Sequence, residues 1–156
     1  MSRKKADFCY LILVVFVLAA LPTAVAAYNK YTWNKQIPPS DDAKVFLLTG
    51  NRDKGWVAGP IAAADVLKYS LEPNLGQPPV LKVHKGETVV LKLTSSDVVH
   101  GFSLKDFGVF VDQGIHPGKP TTVSFVADKV GSFKFVCNSI CGDHHEQMYG
   151  TIVVTD

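Results

Sequence analysis

The sequence predicts an all-β domain, an antiparallel sandwich or barrel of roughly 110 residues behind a hydrophobic N-terminal leader. Three observations carry that expectation. Apolar and polar residues alternate with period two in VLKV and TVVLKL, the signature of a half-buried strand. Clusters of Gly, Pro, Asn and Asp interrupt the apolar runs at short intervals, as in turn-rich β-domains. Nothing reads as a Gly-rich phosphate loop, a nucleophile elbow or a strand–helix–strand alternation.

In chain order, residues 1–27 form the leader. Arg3, Lys4 and Lys5 precede the apolar run CYLILVVFVLAAL and then PTAVAA. This is the layout of an export signal with Ala24-Val25-Ala26 as its cleavage site. An uncleaved anchor is the other reading, since Phe8 to Tyr28 approaches the roughly 20 residues that span a bilayer. In both, the basic end stays cytoplasmic and the rest crosses. Residues 28–42, polar with a Pro-Pro pair, read as a linker, and 43–156 as the domain.

Strands are expected at Lys44–Thr49, Val80–Val83, Thr88–Leu93, Gly101–Leu104, Thr121–Val126, Ser132–Cys137 and Gly150–Thr155. A short helix is expected around Ile61–Tyr69. Turns are expected at Lys85–Glu87, Gly114–Pro120 and Asp128–Gly131. Alternation assigns Val89, Leu91, Leu93, Phe125, Phe133 and Phe135 to the core.

Charge excludes one class of partner. Of 16 Lys+Arg and 14 Asp+Glu, the leader holds three and one, which leaves 13 of each in the exported part. Nucleic-acid binding needs a basic face, and none is expected here.

Chemistry concentrates in CNSICGDHHEQM, residues 137–148. Cys9 belongs to the leader, so Cys137 and Cys141 are the thiols of the exported part. In an oxidising compartment two cysteines form a disulfide by default, but that leaves His145 and Met148 without a role. The spacing is C-x3-C-x3-H-x2-M, on a loop between two expected strands. Thiolate, imidazole and thioether together suit copper; zinc gains little from Met, and hard cations want oxygen. A further strong ligand is expected from outside the loop, and His100 in DVVHGF is the candidate.

VVHGF, GSFKFVC, the cysteine loop and GTIVV together resemble the copper-A domain of cytochrome c oxidase subunit II, over about residues 78–156. They are also similar to the copper-A domain of nitrous oxide reductase, although the chain is too short for the large domain that accompanies it there. The resemblance implies a cupredoxin-like Greek-key sandwich or barrel. It implies a dinuclear centre of two copper ions, with Cys137 and Cys141 bridging, His100 and His145 binding one copper each, and Met148 sulfur and the Ser139 carbonyl as weak ligands. The implied function is electron relay from a c-type cytochrome to a haem-copper oxidase or other terminal reductase. The chain would be an electron-entry subunit of a complex, with no bond-making catalysis of its own. Its place would be the periplasm or the outer face of the cytoplasmic membrane.

Two readings compete with the dinuclear centre. A single-copper blue site uses one cysteine, and the second thiol distinguishes it. A copper-delivery protein would use the same thiols for labile cuprous ion. Among the remaining residues, Asp97 is a candidate acceptor orienting a ligand. His144 is expected to be an exposed loop residue, and His84 and His116 to be structural or superficial. Residues 50–79 have no recognised counterpart in the family.

Overall fold

The computed structural model describes residues 3–35, 43–71 and 76–156. They fall into two units, divided between Pro38 and Pro39. The first contains α1 (Arg3–Lys35), in which Asp7–Tyr28 is long and apolar enough to cross a membrane. Pro22 lies inside this helix, and the Thr23 hydroxyl donates to the Ala20 carbonyl at 2.8 Å, engaging a backbone acceptor beside the proline. Residues 28–35, expected to begin the linker, are helical. No Gly or Pro occurs from Thr23 to Lys35 to stop the helix. Residues 36–42 of the expected linker lie outside the described residues.

The second unit is a two-sheet β-sandwich, cupredoxin-like in its topology. Its elements are β1 (Lys44–Asn51), β2 (Gly55–Ala58), α2 (Ala63–Leu71), β3 (Val80–His84), β4 (Thr88–Ser95), β5 (His100–Leu104), β6 (Val109–Ile115), β7 (Thr121–Val126), β8 (Gly131–Val136) and β9 (Tyr149–Thr155). One sheet has the order β2-β1-β4-β7 and the other β3-β9-β8-β5-β6. The sandwich is mixed, where a purely antiparallel one was expected. β1 pairs parallel with β4, and β3 with β9. Between β1 and β4 the chain passes through α2 and through β3 in the opposite sheet, so it re-enters beside β1 in the same direction. Side-chain periodicity reports burial and carries no strand direction.

The expected core residues are buried, apart from half-buried Phe133, which packs against the core. In the middle, Phe102 and Phe135 stack at 5.4 Å between centroids, and Trp56 meets Phe102 edge-on at 5.6 Å. Phe107 packs against Phe125 and Phe133 at 4.7 and 4.8 Å. Burying side chains of this size stabilises a fold by about 1.5–3 kcal/mol each.

What this framework does for function is bring strand ends together. Gly50 at the end of β1 lies level with Ser95 at the end of β4. The β4–β5 turn then delivers His100, while the β8–β9 register, Val136 opposite Tyr149, fixes both ends of the cysteine loop.

Candidate metal centre

The loop is closed at its base by the Cys137 N–H, which donates to the Met148 carbonyl at 3.0 Å. Its second half is wound into a short 3-10 turn, His145–Gln147. The His145 N–H donates to the Gly142 carbonyl at 3.2 Å and the Met148 N–H to the His145 carbonyl at 3.1 Å. That winding turns His145 and Met148 toward the same sulfur.

All six residues expected at the site are brought together. Cys137 Sγ and Cys141 Sγ are unbonded thiol sulfurs 3.6 Å apart. Cys141 Sγ lies 3.6 Å from His145 Nδ1 and 3.7 Å from Met148 Sδ. Cys137 Sγ lies 3.1 Å from the Ser139 carbonyl oxygen. A ring nitrogen of His100 and the two Sγ atoms are all within 4.8 Å of one another.

His100 arrives from the other strand pair. The β5–β6 register shifts between His100 and Phe102, a bulge that re-aims a side chain at the rim of a sheet. The Gly101 N–H inside that shift donates to Cys137 Sγ at 3.3 Å. A side chain at Gly101 would collide with the cysteine loop, since its Cβ would fall 2.0 Å from Asn138 Oδ1 and 2.9 Å from the Ser139 backbone N.

The expected role of Asp97 is met in geometry. Its Oδ1 lies 2.9 Å from His100 Nε2, while Oδ2 accepts from the Arg52 N–H at 2.6 Å and Oδ1 from the Val98 N–H at 2.7 Å. A carboxylate accepts, so Nε2 carries the proton and the lone pair is left on Nδ1. His100 is fully buried, and its Nδ1 has no hydrogen-bond partner. Buried polar atoms are nearly always paired, so an orphan beside two thiols marks a place for an electrophile.

The electrostatics agree. Cys137 is the thiolate of the pair. The Cys141 thiol beside it, against the pull of burial and with help from His100 and the Ser139 and Gly101 backbone, holds it far below the usual thiol range, at about 3. The same interaction pushes Cys141 up, so the two sulfurs share one proton. Burial works against charge on Asp97, yet hydrogen bonds from His100 and from the Arg52 and Val98 N–H groups hold its carboxyl below the ordinary value. Burial also opposes charge on His100, and the Asp97 hydrogen bond, with the negative charges of Asp97 and the nearby Cys137, outweighs it and raises its pKa. A thiolate and a carboxylate flanking one buried imidazole call for positive charge between the sulfurs and the ring, and a soft metal ion supplies it. A bare Cys137 thiolate would face the Ser139 oxygen as a second acceptor, and a cation between them relieves that contact. The donor set therefore fits copper.

The other histidines stand apart. His84 is exposed, with Nδ1 3.0 Å from the Asp156 carbonyl oxygen and 3.1 Å from Thr155 Oγ1. His116 is exposed, with Nε2 3.1 Å from the Gln113 carbonyl oxygen. His144 is half-buried where an exposed residue was expected, because it opens the 3-10 turn. What the sequence reading missed is the contribution of β1, β2 and the turn between them: Gly50, Arg52 and Trp56 all reach the site. Trp56 lies 6.2 Å from the His100 ring.

Comparison with known proteins identifies the family to which the chain is similar. The family described as "Cytochrome C oxidase subunit II, periplasmic domain" matches residues 61–156. The chain is 29% identical to a cytochrome c oxidase subunit 2 of Thermus thermophilus, over 100% of this chain and 94% of that one. It is 38% identical to a second Thermus thermophilus cytochrome c oxidase subunit 2, over 51% of this chain and 58% of that one. Among solved structures, the periplasmic domain of subunit II of cytochrome oxidase from Bradyrhizobium japonicum superposes with a TM-score of 0.54 at 25% identity, covering 78% of this chain and 88% of that one. The chain belongs to the cytochrome c oxidase subunit II family, and its β-sandwich carries that family's periplasmic domain.

Proposed function

We propose that this protein relays electrons through a dinuclear copper-A centre, as subunit II of a haem-copper terminal oxidase. The observation that carries the reading is the buried, unpartnered Nδ1 of His100 beside two thiols 3.6 Å apart. A disulfide would leave that nitrogen orphaned.

Cys137 and Cys141 would hold two copper ions between them, with His100 and His145 on one each and Met148 sulfur and the Ser139 carbonyl as weak donors. When bound, a copper pair held by these donors would supply a one-electron carrier. The chain's own contribution is rigidity and dryness. Met148, Cys137 and His100 are buried, and the loop that carries all but His100 is tied at its base to β8 and β9. Asp97 keeps the His100 ring in one tautomer. A c-type cytochrome is the proposed donor and the haem-copper oxidase the proposed acceptor, on the periplasmic side of a membrane that α1 is long enough to cross.

The test is the copper-to-protein ratio and electron paramagnetic resonance spectrum of the full chain, purified in detergent with its thiols reduced, freed of reductant and then loaded with cupric ion. Two coppers per chain, with hyperfine splitting from one electron spread over both nuclei, are expected. One copper, or a spectrally silent cuprous form that exchanges readily, would overturn relay in favour of copper delivery.

A further inference from the structure

The segment that the sequence left without a role, the tip between β1 and β2, touches both halves of the proposed centre while supplying no ligand. Gly50 is pressed against the ligand side chains. A Cβ there would lie 2.6 Å from His100 Cδ2 and 3.1 Å from Met148 Cε. Asn51 then latches the tip to the turn that carries His100. Its Nδ2 donates to Ser96 Oγ at 3.0 Å, and the Ser96 N–H donates to the Gly50 carbonyl at 3.0 Å. The Asn51 Oδ1 accepts from the N–H groups of Asp53 and Lys54, both at 3.0 Å, which fixes the turn itself.

Arg52 completes the bridge. Its N–H holds Asp97, and through Asp97 the His100 ring. Its side chain runs the other way, across the cysteine loop. A Cβ on Gly142 would meet Arg52 Cγ at 2.6 Å and Cδ at 2.7 Å, so the arginine stem lies flat on that glycine. Gly142 has φ +142, a conformation open to glycine. The guanidinium is steadied by Asp53, with Nε 3.5 Å from Oδ1. One residue thus spans the two chain segments that carry the proposed ligands, the β4–β5 turn and the β8–β9 loop. The sheets fix each segment's root, and no described backbone ladder joins the tips.

We propose that the Gly50–Gly55 tip is a clamp that sets the relative position of His100 and the cysteine loop, with Arg52 as its positioning residue. The proposal rests on the copper reading for its spectroscopic consequences but on geometry alone for its mechanical ones. A positioning role makes the stem, and not the charge, the working part of Arg52, because the aliphatic carbons lie on Gly142. Arg52→Lys should therefore keep the clamp and Arg52→Ala should lose it.

The test compares the full-length wild type with these two variants in detergent. Hydrogen–deuterium exchange of the metal-free proteins reads the clamp without copper. Exchange over residues 137–148 is expected to quicken in Arg52→Ala and to return to the wild-type rate in Arg52→Lys. Copper loading reads its consequence. Arg52→Ala is expected to bind copper about 10-fold more weakly, as when a group orienting ligands is removed, with altered hyperfine splitting and an unchanged melting temperature when metal-free. Arg52→Lys is expected to restore both copper properties. Unchanged exchange in Arg52→Ala overturns the clamp. So does a fall in melting temperature and affinity together with an unaltered spectrum, which would make Arg52 ordinary packing. If the wild type takes up no copper the relay reading fails, and the exchange comparison still decides the clamp.

Discussion

Asp97 and His100 form the hinge of the site: a carboxylate oxygen 2.9 Å from Nε2 of a fully buried ring leaves Nδ1 as the atom available to a metal. Asp97 is itself held by two backbone N–H groups, so the orientation is inherited from the turn and not from a freely rotating side chain. Replacing Asp97 with Ala should leave the sandwich folded and lower copper affinity about 10–100-fold. A chelator competition titration checks this. Wild-type affinity in Asp97→Ala would show that packing alone orients the ring.

The metal-free protein should lose stability on acidification. Cys137 is held at about 3 against an ordinary 9.0, so the folded state binds fewer protons than the unfolded state between those values. Stability from this group is complete above the unfolded value and lost as pH falls toward 3. His100, raised above 6.5, has the opposite sign: its contribution is complete below 6.5 and lost as pH rises through its folded value. The two slopes oppose each other just above pH 6.5. Below it the thiolate slope stands unopposed, joined by that of Asp97 at the acid end. Melting temperatures measured under reductant should fall from pH 6.5 toward 3, and Cys137→Ser should flatten that fall. An equally steep fall in Cys137→Ser would place the acid sensitivity elsewhere.

The expected strands lie where the structure has them because each carries either alternation or a continuous apolar run bounded by turns. β2 and β6 were not legible. Gly55–Ala58 is too short to show a period. In β6 the alternation of buried Val109 and Val111 lapses at Asp112, Gln113 and Gly114, all outside the buried core. The site divides in the same way. Ligand types and spacing lie in one contiguous loop plus HGF, so they could be read. The contribution of Gly50 and Arg52 could not, because it depends on the parallel β1–β4 register that sets Gly50 against Ser95. The one available cue was TGNRDKG, a turn-like stretch that any hairpin could carry.

Gly101 offers a steric test of how closely the two ligand-bearing segments must approach. In Gly101→Ala the new methyl meets Asn138 Oδ1, the end of an exposed side chain that can swing away. It also meets the Ser139 backbone N, which cannot move without moving the loop. The displacement should lengthen the Gly101 N–H to Cys137 Sγ contact and reduce copper binding to at most one ion per chain. Overpacking of this kind costs about 1–3 kcal/mol, so the protein should still fold, as circular dichroism would verify. Two coppers bound with a wild-type spectrum would show that the loop tolerates the shift.

The sharpest separation of ligand roles comes from comparing Cys141 with Met148. Cys141 Sγ touches the three other side-chain donors of its loop, Cys137 Sγ, His145 Nδ1 and Met148 Sδ, at 3.6, 3.6 and 3.7 Å. Cys141→Ser should therefore convert the proposed pair into a mononuclear site or empty it. Met148 meets only one of those sulfurs and is otherwise a buried core side chain. Met148→Leu conserves volume and should cost less than about 1.5 kcal/mol. It should keep both coppers and shift the reduction potential, since a weak thioether donor would tune a copper site without anchoring it. Copper content and protein-film voltammetry on both variants check the hierarchy. Complete copper loss in Met148→Leu, or an unchanged resonance spectrum in Cys141→Ser, would reverse it and with it the assignment of the two thiolates as the bridge.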